Sequence, residues 1–326
     1  MAISEKVTIA QIAAKANVSI ATASRVINSP GLVKEETRIR VMQAMKDLDC
    51  QIKRPANKMI LASFTDFNNP FYGRCISAMQ EAARKRGYYL YLQQIENPAD
   101  PTCYNTLLND HTFQGILFCH RIPEGDVLDN IRMSHPIVMC SQYNVNSDIP
   151  YVTVDDFTAA KNAVNYLVSI GKKKIAFINS TLKHSYSVLR EKGYRAALEN
   201  AGLPIHEEWI VHIPYIDFDT ACAAVFSMLR STDVPDAFFC ASDVYACAAL
   251  KAASAMKKSV PGDISVLGFD NIAMTTMTVP TLSTVSQPVF QLGYQSCNML
   301  IDIIEGIPVV TPHVMLDTEI IIRNST

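Results

Sequence analysis

The feature that most limits how this chain can fold is a strand–helix alternation that begins at residue 60, runs through four strands and then starts again. Ile60–Phe64, Tyr88–Leu92, Gly115–Phe118 and Ile137–Met139 are short apolar runs. Amphipathic stretches separate them at Arg74–Arg86, Thr102–Asp110 and Val127–Met133. Runs that are apolar throughout, rather than every second residue, fit strands covered on both faces, as in a parallel sheet. The alternation resumes with strands at Lys174–Ile178, Trp209–Ile213, Ala237–Cys240 and Ser265–Phe269, and with helices at Val188–Asn200, Thr220–Leu229 and Tyr245–Met256. Two βα series in one chain predict an α/β fold of two similar lobes, with a ligand crevice between them at the carboxyl ends of the strands.

Residues 1–59 carry no strand pattern and read as a separate unit; residues 60–326 form the body. The charge divides the same way. The first 59 residues hold ten Lys/Arg against five Asp/Glu, and the remainder holds 19 basic against 26 acidic residues. A basic headpiece on an acidic body points to a polyanion met by the headpiece alone. Thr8 reads as the N-cap of a helix Ile9–Ala16, with Gln11 completing a capping box and Ile9, Ile12, Ala13 and Ala16 on one face. Asn17-Val18-Ser19 supplies a turn: Asn tolerates left-handed backbone, Val18 can fill the angle, and Ser19 can cap a second helix, Ile20–Ile27. A third helix, Glu35–Leu48, is expected to bury Ile39, Met42, Met45 and Leu48. The outer face of the second helix is small, hydroxylated and basic, which suits phosphate oxygens, thymine methyls and a guanine edge.

The string Val7-Thr8-Ile9 … Ala16-Asn17-Val18-Ser19 … Thr22 … Ser24-Arg25-Val26-Ile27-Asn28, with Thr37-Arg38 further on, resembles the headpiece of the lactose-repressor (LacI/GalR) family. The resemblance continues through Asn69-Pro70-Phe71-Tyr72, Val154-Asp155, Gly193-Tyr194, Ser242-Asp243, Gly268-Phe269-Asp270-Asn271 and Gln287-Pro288, so it spans essentially the whole chain. It implies a helix-turn-helix headpiece on a two-lobed, periplasmic-binding-protein-like body, acting as a cytoplasmic, effector-responsive transcription regulator, in particular a repressor. The expected partners are double-stranded operator DNA, a small-molecule effector and a second copy of the chain in a homodimer, with no membrane and no cofactor or metal.

Carried over residue by residue, the resemblance puts Ile20, Ala21 and Arg25 at base-reading positions and Thr8, Ser19, Thr22, Ser24, Asn28 and Thr37 at phosphates. The hinge departs from the family pattern: Cys50 to Met59 contains Pro55 and a shortened linker, with Met59 nearest the position of the family's minor-groove wedge. In the body it implies aromatic walls from Phe71 and Tyr72, hydroxyl-binding carboxylates at Asp155 and Asp270, a charged clamp at Arg190, a stacking ring at Tyr215 and polar contacts from His184 and Tyr186. The competing readings are that Phe71 packs in the core and that Asp270 holds a turn. Asp243 is expected to cap the helix after it. The segment Ser141-Gln142-Tyr143 replaces an Asp-x-Arg-like ending. The runs Thr158-Ala159-Ala160 and Ala163-Val164-Asn165-Tyr166-Leu167 resemble a nucleoside-responsive branch. A sugar or sugar phosphate is the alternative effector.

Two other classes fit less well. A periplasmic-type sugar-binding protein shares the body, but the basic headpiece and an N-terminus without an apolar signal segment argue against export. An enzyme needs a catalytic constellation, and the sequence has no G-x-S-x-G, H-E-x-x-H, Walker or G-x-G-x-x-G motif. Its nine cysteines form no C-x-x-C pair, which favours reduced, packed thiols.

Overall fold

A computed structural model describes residues 8–28, 35–48, 58–104, 112–122, 125–144 and 147–326. The expected hinge with Pro55, and most of the helix expected at Thr102–Asp110, lie outside the described residues; a short 3-10 turn, Pro101–Tyr104, opens that stretch. Contacts divide the chain into two units, Met1–Lys58 and Met59–Thr326.

The first unit holds α1 (Ile9–Ala16), α2 (Ile20–Asn28) and α3 (Glu35–Asp47). Its core is Ile12, Ala16, Val26, Val41, Ala44 and Met45, with Val18 and Leu48 packed against it. The face of α3 differs from expectation. Val41, Ala44 and Met45 turn inward, whereas Ile39 and Met42 are 57% and 52% exposed. An i, i+3, i+4 stripe through residue 41 competes with one through residue 42, and apolar content alone does not decide between them.

The second unit contains two six-stranded sheets among the described residues, in the orders β11-β5-β4-β3-β1-β2 and β12-β10-β9-β8-β6-β7. In the first, β1 is Met59–Phe64, β2 Tyr89–Gln94, β3 Ile116–Phe118, β4 Ile137–Cys140, β5 Tyr151–Val154 and β11 His313–Leu316. In the second, β6 is Ile175–Ser180, β7 Ile210–Ile213, β8 Ala237–Cys240, β9 Ser265–Asp270, β10 Ser283–Ser286 and β12 Glu319–Ile321. All pairings are parallel except β10 with β12.

Strand alternation splits each lobe into two cores. Ile60, Ala62 and Phe64 face α4 (Pro70–Lys85) and α10 (Val289–Glu305), while Leu61 faces the side covered by α5 (Asp126–Ser134). In the second lobe Phe177 and Phe239 pack under α6 (Asp156–Ser169) and α7 (Ser185–Asn200). Ile178 and Phe238 pack under α8 (Phe218–Leu229) and α9 (Asp243–Ala255). Two glycines permit the closest helix contacts. A Cβ at Gly193 would strike the carbonyl of Phe157 on α6, and one at Gly293 would strike that of Cys75 on α4.

Three stretches cross between the lobes: β5 to α6 at Val154–Asp156, β10 to α10 at Ser286–Val289, and β11 to β12 at Leu316–Glu319. β11 and β12 complete each lobe with chain that arrives from the other, and β5 and β10 follow β4 and β9 of their own lobe with no described α-helix between, so no local βαβ repeat marks these four strands.

Candidate functional site

In the headpiece, local chemistry builds the α1–turn–α2 corner. Thr8 Oγ1 accepts the Gln11 N–H, and Gln11 Oε1 accepts the Thr8 N–H at 2.7 Å, closing the expected capping box. Asn17 adopts left-handed backbone (φ 52, ψ 53), and the Val18 N–H donates to the Ala13 carbonyl at 3.0 Å. Ser19 Oγ accepts the Thr22 N–H at 3.0 Å and shares a hydrogen bond with the Thr22 hydroxyl, so α2 begins capped. Ala23 and Val26 are buried, which turns Ile20 and Ala21 outward and leaves Thr22, Ser24 and, on α3, Thr37 half-buried. Arg25 and Asn28 belong to α2, but their side chains lie outside the described residues. Met59, expected nearest the wedge position, belongs to the second unit. It opens β1, sits opposite Tyr89, and its carbonyl accepts the Gln114 N–H at 2.8 Å. Ladder pairing fixes its backbone in the body sheet rather than in a hinge helix.

Between the two lobes lies a cleft of about 1030 Å³, lined by Asn69, Tyr72, Arg121, Lys183, His184, Tyr186, Tyr215 and Ile216 among others. A small inner recess continues from it through Asn69, Tyr72, Tyr186 and Ile216 to Phe71, Ser141, Gln142, Arg190, Ser242, Asp270 and Gln287. Asn69 caps α4 by accepting the Phe71 N–H, which sets Phe71 and Tyr72 on the first turn of α4 beneath the cleft. Their rings meet edge-on, with centroids 5.5 Å apart, and the Tyr72 hydroxyl donates to the Cys119 carbonyl at 3.3 Å. From the second lobe His184 and Tyr186 stack in parallel at 5.1 Å. Burial and the nearby Arg121 and Lys183 hold His184 down to about 4, so its ring is neutral at ordinary pH.

Arg190 is buried on α7 over the Phe269 ring, 3.5 Å from the ring centre to Cζ. Its Nε and Nη2 both donate to Asp156 Oδ1 at 2.8 Å, and its Nη1 donates to the Ala241 carbonyl at 2.6 Å. The guanidinium is therefore neutralised within the protein. Asp270 ends β9 with φ at +118, a conformation that costs an ordinary residue about 1–3 kcal/mol and is maintained only by its surroundings. Oδ1 accepts from Gln287 Nε2 at 2.8 Å and Oδ2 from Ser242 Oγ at 3.2 Å. Burial raises its carboxyl to about 6, against the opposing pull of Arg190 and those two donors.

Seven of the eight effector positions expected from the sequence line this cleft: Phe71, Tyr72, His184, Tyr186, Arg190, Tyr215 and Asp270. Tyr215 stands at the mouth, 74% exposed, while its neighbour Ile216 reaches the inner recess. Asp155 is the exception. It is exposed and caps α6, accepting the Thr158 N–H at 3.0 Å and the Thr158 hydroxyl at 2.6 Å. The buried carboxylate is Asp156, one residue on, because the crossover into α6 turns that side chain back towards Arg190. Asp243 is also corrected. Ser242 caps α9, and Asp243 is buried, accepting from Thr284 Oγ1 at 2.6 Å and from the Ile272 N–H at 2.9 Å. Reasoning from sequence missed Asn69, Gln142, Ile216, Ser242 and Gln287 as cleft residues. The signals available were the polar replacement Ser141-Gln142 and the matching runs that contain Asn69, Ser242 and Gln287; nothing pointed to Ile216.

A helix-turn-helix unit followed by a two-lobed body with an aromatic-walled polar cleft defines the class of DNA-binding regulators that carry an effector domain. The pattern described as "Bacterial regulatory proteins, lacI family" matches residues 8–51, and that described as "Periplasmic binding protein-like domain" matches residues 164–326. The chain is 30% identical to the HTH-type transcriptional repressor CytR of Escherichia coli K12, over 98% of this chain and 96% of that protein. It is 31% identical to the HTH-type transcriptional regulator DegA of Bacillus subtilis 168, over 98% of both. Among solved structures, the transcriptional regulator CelR–cellobiose complex superposes with a TM-score of 0.74 at 27% identity, over 98% of this chain and all of that one. This chain belongs to the lacI family of bacterial regulatory proteins: it is a DNA-binding transcription regulator with an effector-binding domain. Among the described residues no helix is long and apolar enough to cross a membrane.

Proposed function

We propose that the protein is a homodimeric repressor whose two headpieces read the half-sites of a pseudo-palindromic operator, and whose operator affinity is set by a neutral nucleoside bound between the lobes of each body. On the DNA side, Ile20 and Ala21 present apolar groups to base edges together with Arg25. Thr8, Ser19, Thr22, Ser24, Asn28 and Thr37 surround them with phosphate-binding groups. Two-fold symmetry of the protein then matches that of the operator.

The observation that carries the effector side is the convergence of aromatic rings from both lobes, Tyr72 from one and His184 with Tyr186 from the other, above a polar recess. Planar faces suit a base, and the recess suits the hydroxyls of a sugar. A ligand held by both lobes favours one lobe arrangement by the difference in its affinity for the two, and that difference limits how far it can move operator binding. The outer cleft carries Asp66 and Glu96 as well as Arg121 and Lys183, so its charge is balanced. A disaccharide is the second reading, since the cleft volume accommodates one and the similar CelR structure is a cellobiose complex.

The test is a thermal-shift screen of the full chain against nucleosides, free bases, sugars and sugar phosphates, followed by operator titrations with each hit. A nucleoside that stabilises the protein and changes operator affinity is the expected result. Asp270→Ala should abolish that response while leaving operator binding intact; an unaltered response in this variant would remove Asp270 from the effector contacts. A shift with sugars alone would replace the nucleoside by the second reading.

A further inference from the structure

The core of the first lobe gathers four thiols from four different elements: Cys75 on α4, Cys119 just after β3, Cys140 at the end of β4 and Cys297 on α10. Each is at most 1% exposed. Cys75 Sγ and Cys140 Sγ lie 3.7 Å apart, within reach of an S–H···S hydrogen bond, although the residues stand 65 positions apart in sequence. A lone buried cysteine packs as a small hydrophobe and stays inert. Two that touch have a chemistry neither has alone, because the first sulfur to be oxidised finds a second with which to condense.

The pair sits directly beneath the cleft. Cys75 follows Phe71 and Tyr72 by one turn, so all three share a face of α4. The Tyr72 hydroxyl donates to the Cys119 carbonyl, and Cys140 is followed at once by Ser141 and Gln142 of the inner recess. Ser141 holds left-handed backbone (φ +61), so the chain bends immediately beyond the Cys140 sulfur. α10 presses on the other sulfur: a Cβ at Gly293 would lie 3.1 Å from Cys75 Sγ, which leaves Cys75 little room to rotate out of contact. The thiols are also unequal. Hydrogen bonds from Cys119 and Cys75 hold Cys140 below the ordinary thiol value against the cost of burial, whereas burial and donation to Cys140 push Cys119 up. The thiolate, which is the nucleophilic form, is therefore favoured on Cys140.

We propose that Cys140 and Cys75 are a peroxide-sensitive pair, closed by oxidation into a disulfide that ties the start of α4 to the end of β4. The Cys140 thiolate attacks one oxygen of hydrogen peroxide and breaks the O–O bond. Its sulfur becomes a sulfenic acid, and the hydroxide that leaves takes up the proton given off by the thiol, forming water. The Cys75 thiol then attacks the sulfenic sulfur: the S–S bond forms, the S–O bond breaks, and the departing hydroxide carries off the Cys75 proton as a second water. Together the two sulfurs give up the two electrons that reduce the peroxide. Complete burial shuts out a glutathione-sized disulfide and leaves a small neutral hydroperoxide as the oxidant. Closing the sulfurs from 3.7 Å to about 2.05 Å draws the segment of Phe71 and Tyr72 towards that of Ser141 and Gln142. Oxidation then resets the cleft floor, whatever ligand the cleft takes.

The experiment treats the full, pre-reduced chain with a small excess of hydrogen peroxide and weighs it under denaturing conditions before and after alkylation. The expected product has lost the mass of two hydrogens and carries two fewer alkylated cysteines. Its peptide map joins Cys75 to Cys140, and dithiothreitol reverses all three changes. In Cys75→Ser the reaction should stop at a Cys140 sulfenic acid that dimedone traps, and Cys140→Ser should leave Cys75 reduced at the same dose. Alanine at either position gives the same reading should a serine variant fail to fold. Amide hydrogen exchange over residues 70–75 and 137–142 should slow severalfold in oxidised wild type and stay unchanged in peroxide-treated Cys75→Ser. All nine cysteines still alkylated, after a dose that consumes free cysteine in the same tube, overturns the proposal. So does a bridge between other cysteines or between two chains, or a Cys140 driven on to sulfinic acid while Cys75 stays reduced. A Cys75–Cys140 bridge that leaves exchange in both segments unchanged overturns its hold on the cleft floor.

Discussion

The headpiece and the cleft build their working surfaces in opposite ways. On α2 the residues turned to the outside are adjacent in sequence and exposed because Ala23 and Val26 anchor the other face. In the inner recess most residues come from the start of α4, the ends of β4, β8 and β9, the first turns of α7 and the crossover after β10; most are buried, and the polar ones among them are largely hydrogen-bonded within the protein. A helix face can change side chains with modest cost to the fold. A buried polar set cannot, because each member satisfies another.

The sharpest way to break that contrast is Arg190→Ala. Removing the guanidinium leaves Asp156 buried and unpaired, and the second unit should lose about 3–5 kcal/mol in denaturant unfolding. A loss under 1 kcal/mol, on the order of a surface substitution, would mean that the pair contributes little to holding this buried set together.

The pH dependence of the cleft follows in size. The folded-state value of Asp270, about 6, lies above its ordinary 3.8, so the folded protein holds this proton where the unfolded chain has released it. Its contribution therefore falls as pH rises from about 4 to about 6 and is constant above that. The loss is of order 1–3 kcal/mol. Asp270→Asn should flatten unfolding free energy in that window relative to wild type, and an unchanged profile would move the titration elsewhere.

On the exposed surface the expected effects concern DNA rather than stability. Arg25→Ala should cost about 1–3 kcal/mol of operator affinity, with binding to random DNA much less affected and unfolding unchanged within about 0.5 kcal/mol. Equal losses on operator and random DNA would demote Arg25 from reading bases to holding phosphate. The smallest change tests the turn between the two helices. Asn17→Ala puts an alanine in left-handed backbone at a cost of about 1 kcal/mol to the headpiece, whereas Asn17→Gly should be tolerated. A neutral alanine variant would show that the turn readjusts.

These differences also explain what was legible beforehand. Thr8, Gln11, Asn17 and Ser19 act on backbone groups within four residues of themselves, so their roles could be read from spacing, and all four carry those roles. The α3 face was misjudged because Ile39 and Met42 are as apolar as the Val41 and Ala44 that are buried in their place; which stripe turns inward depends on α1 and α2. Asp155 and Asp156 show the same limit at higher stakes. Two adjacent carboxylates are indistinguishable in sequence, and the turn of the chain into α6 makes one a solvent-exposed cap and the other the partner of Arg190.

The sequence by itself determined the headpiece corner and the two βα series, because capping, turn conformation and strand burial are set by near neighbours and by a residue's own chemistry; its family resemblance picked out seven of the side chains that line the cleft. Tertiary structure alone decided how each sheet is completed by strands from the far end of the chain, that Met59 begins a strand, and that Arg190 arrives already neutralised. It also decided that the sulfurs of Cys75 and Cys140 meet beneath the cleft. Those outcomes depend on which distant groups are brought within hydrogen-bonding reach, and no local pattern encodes a distance across the fold.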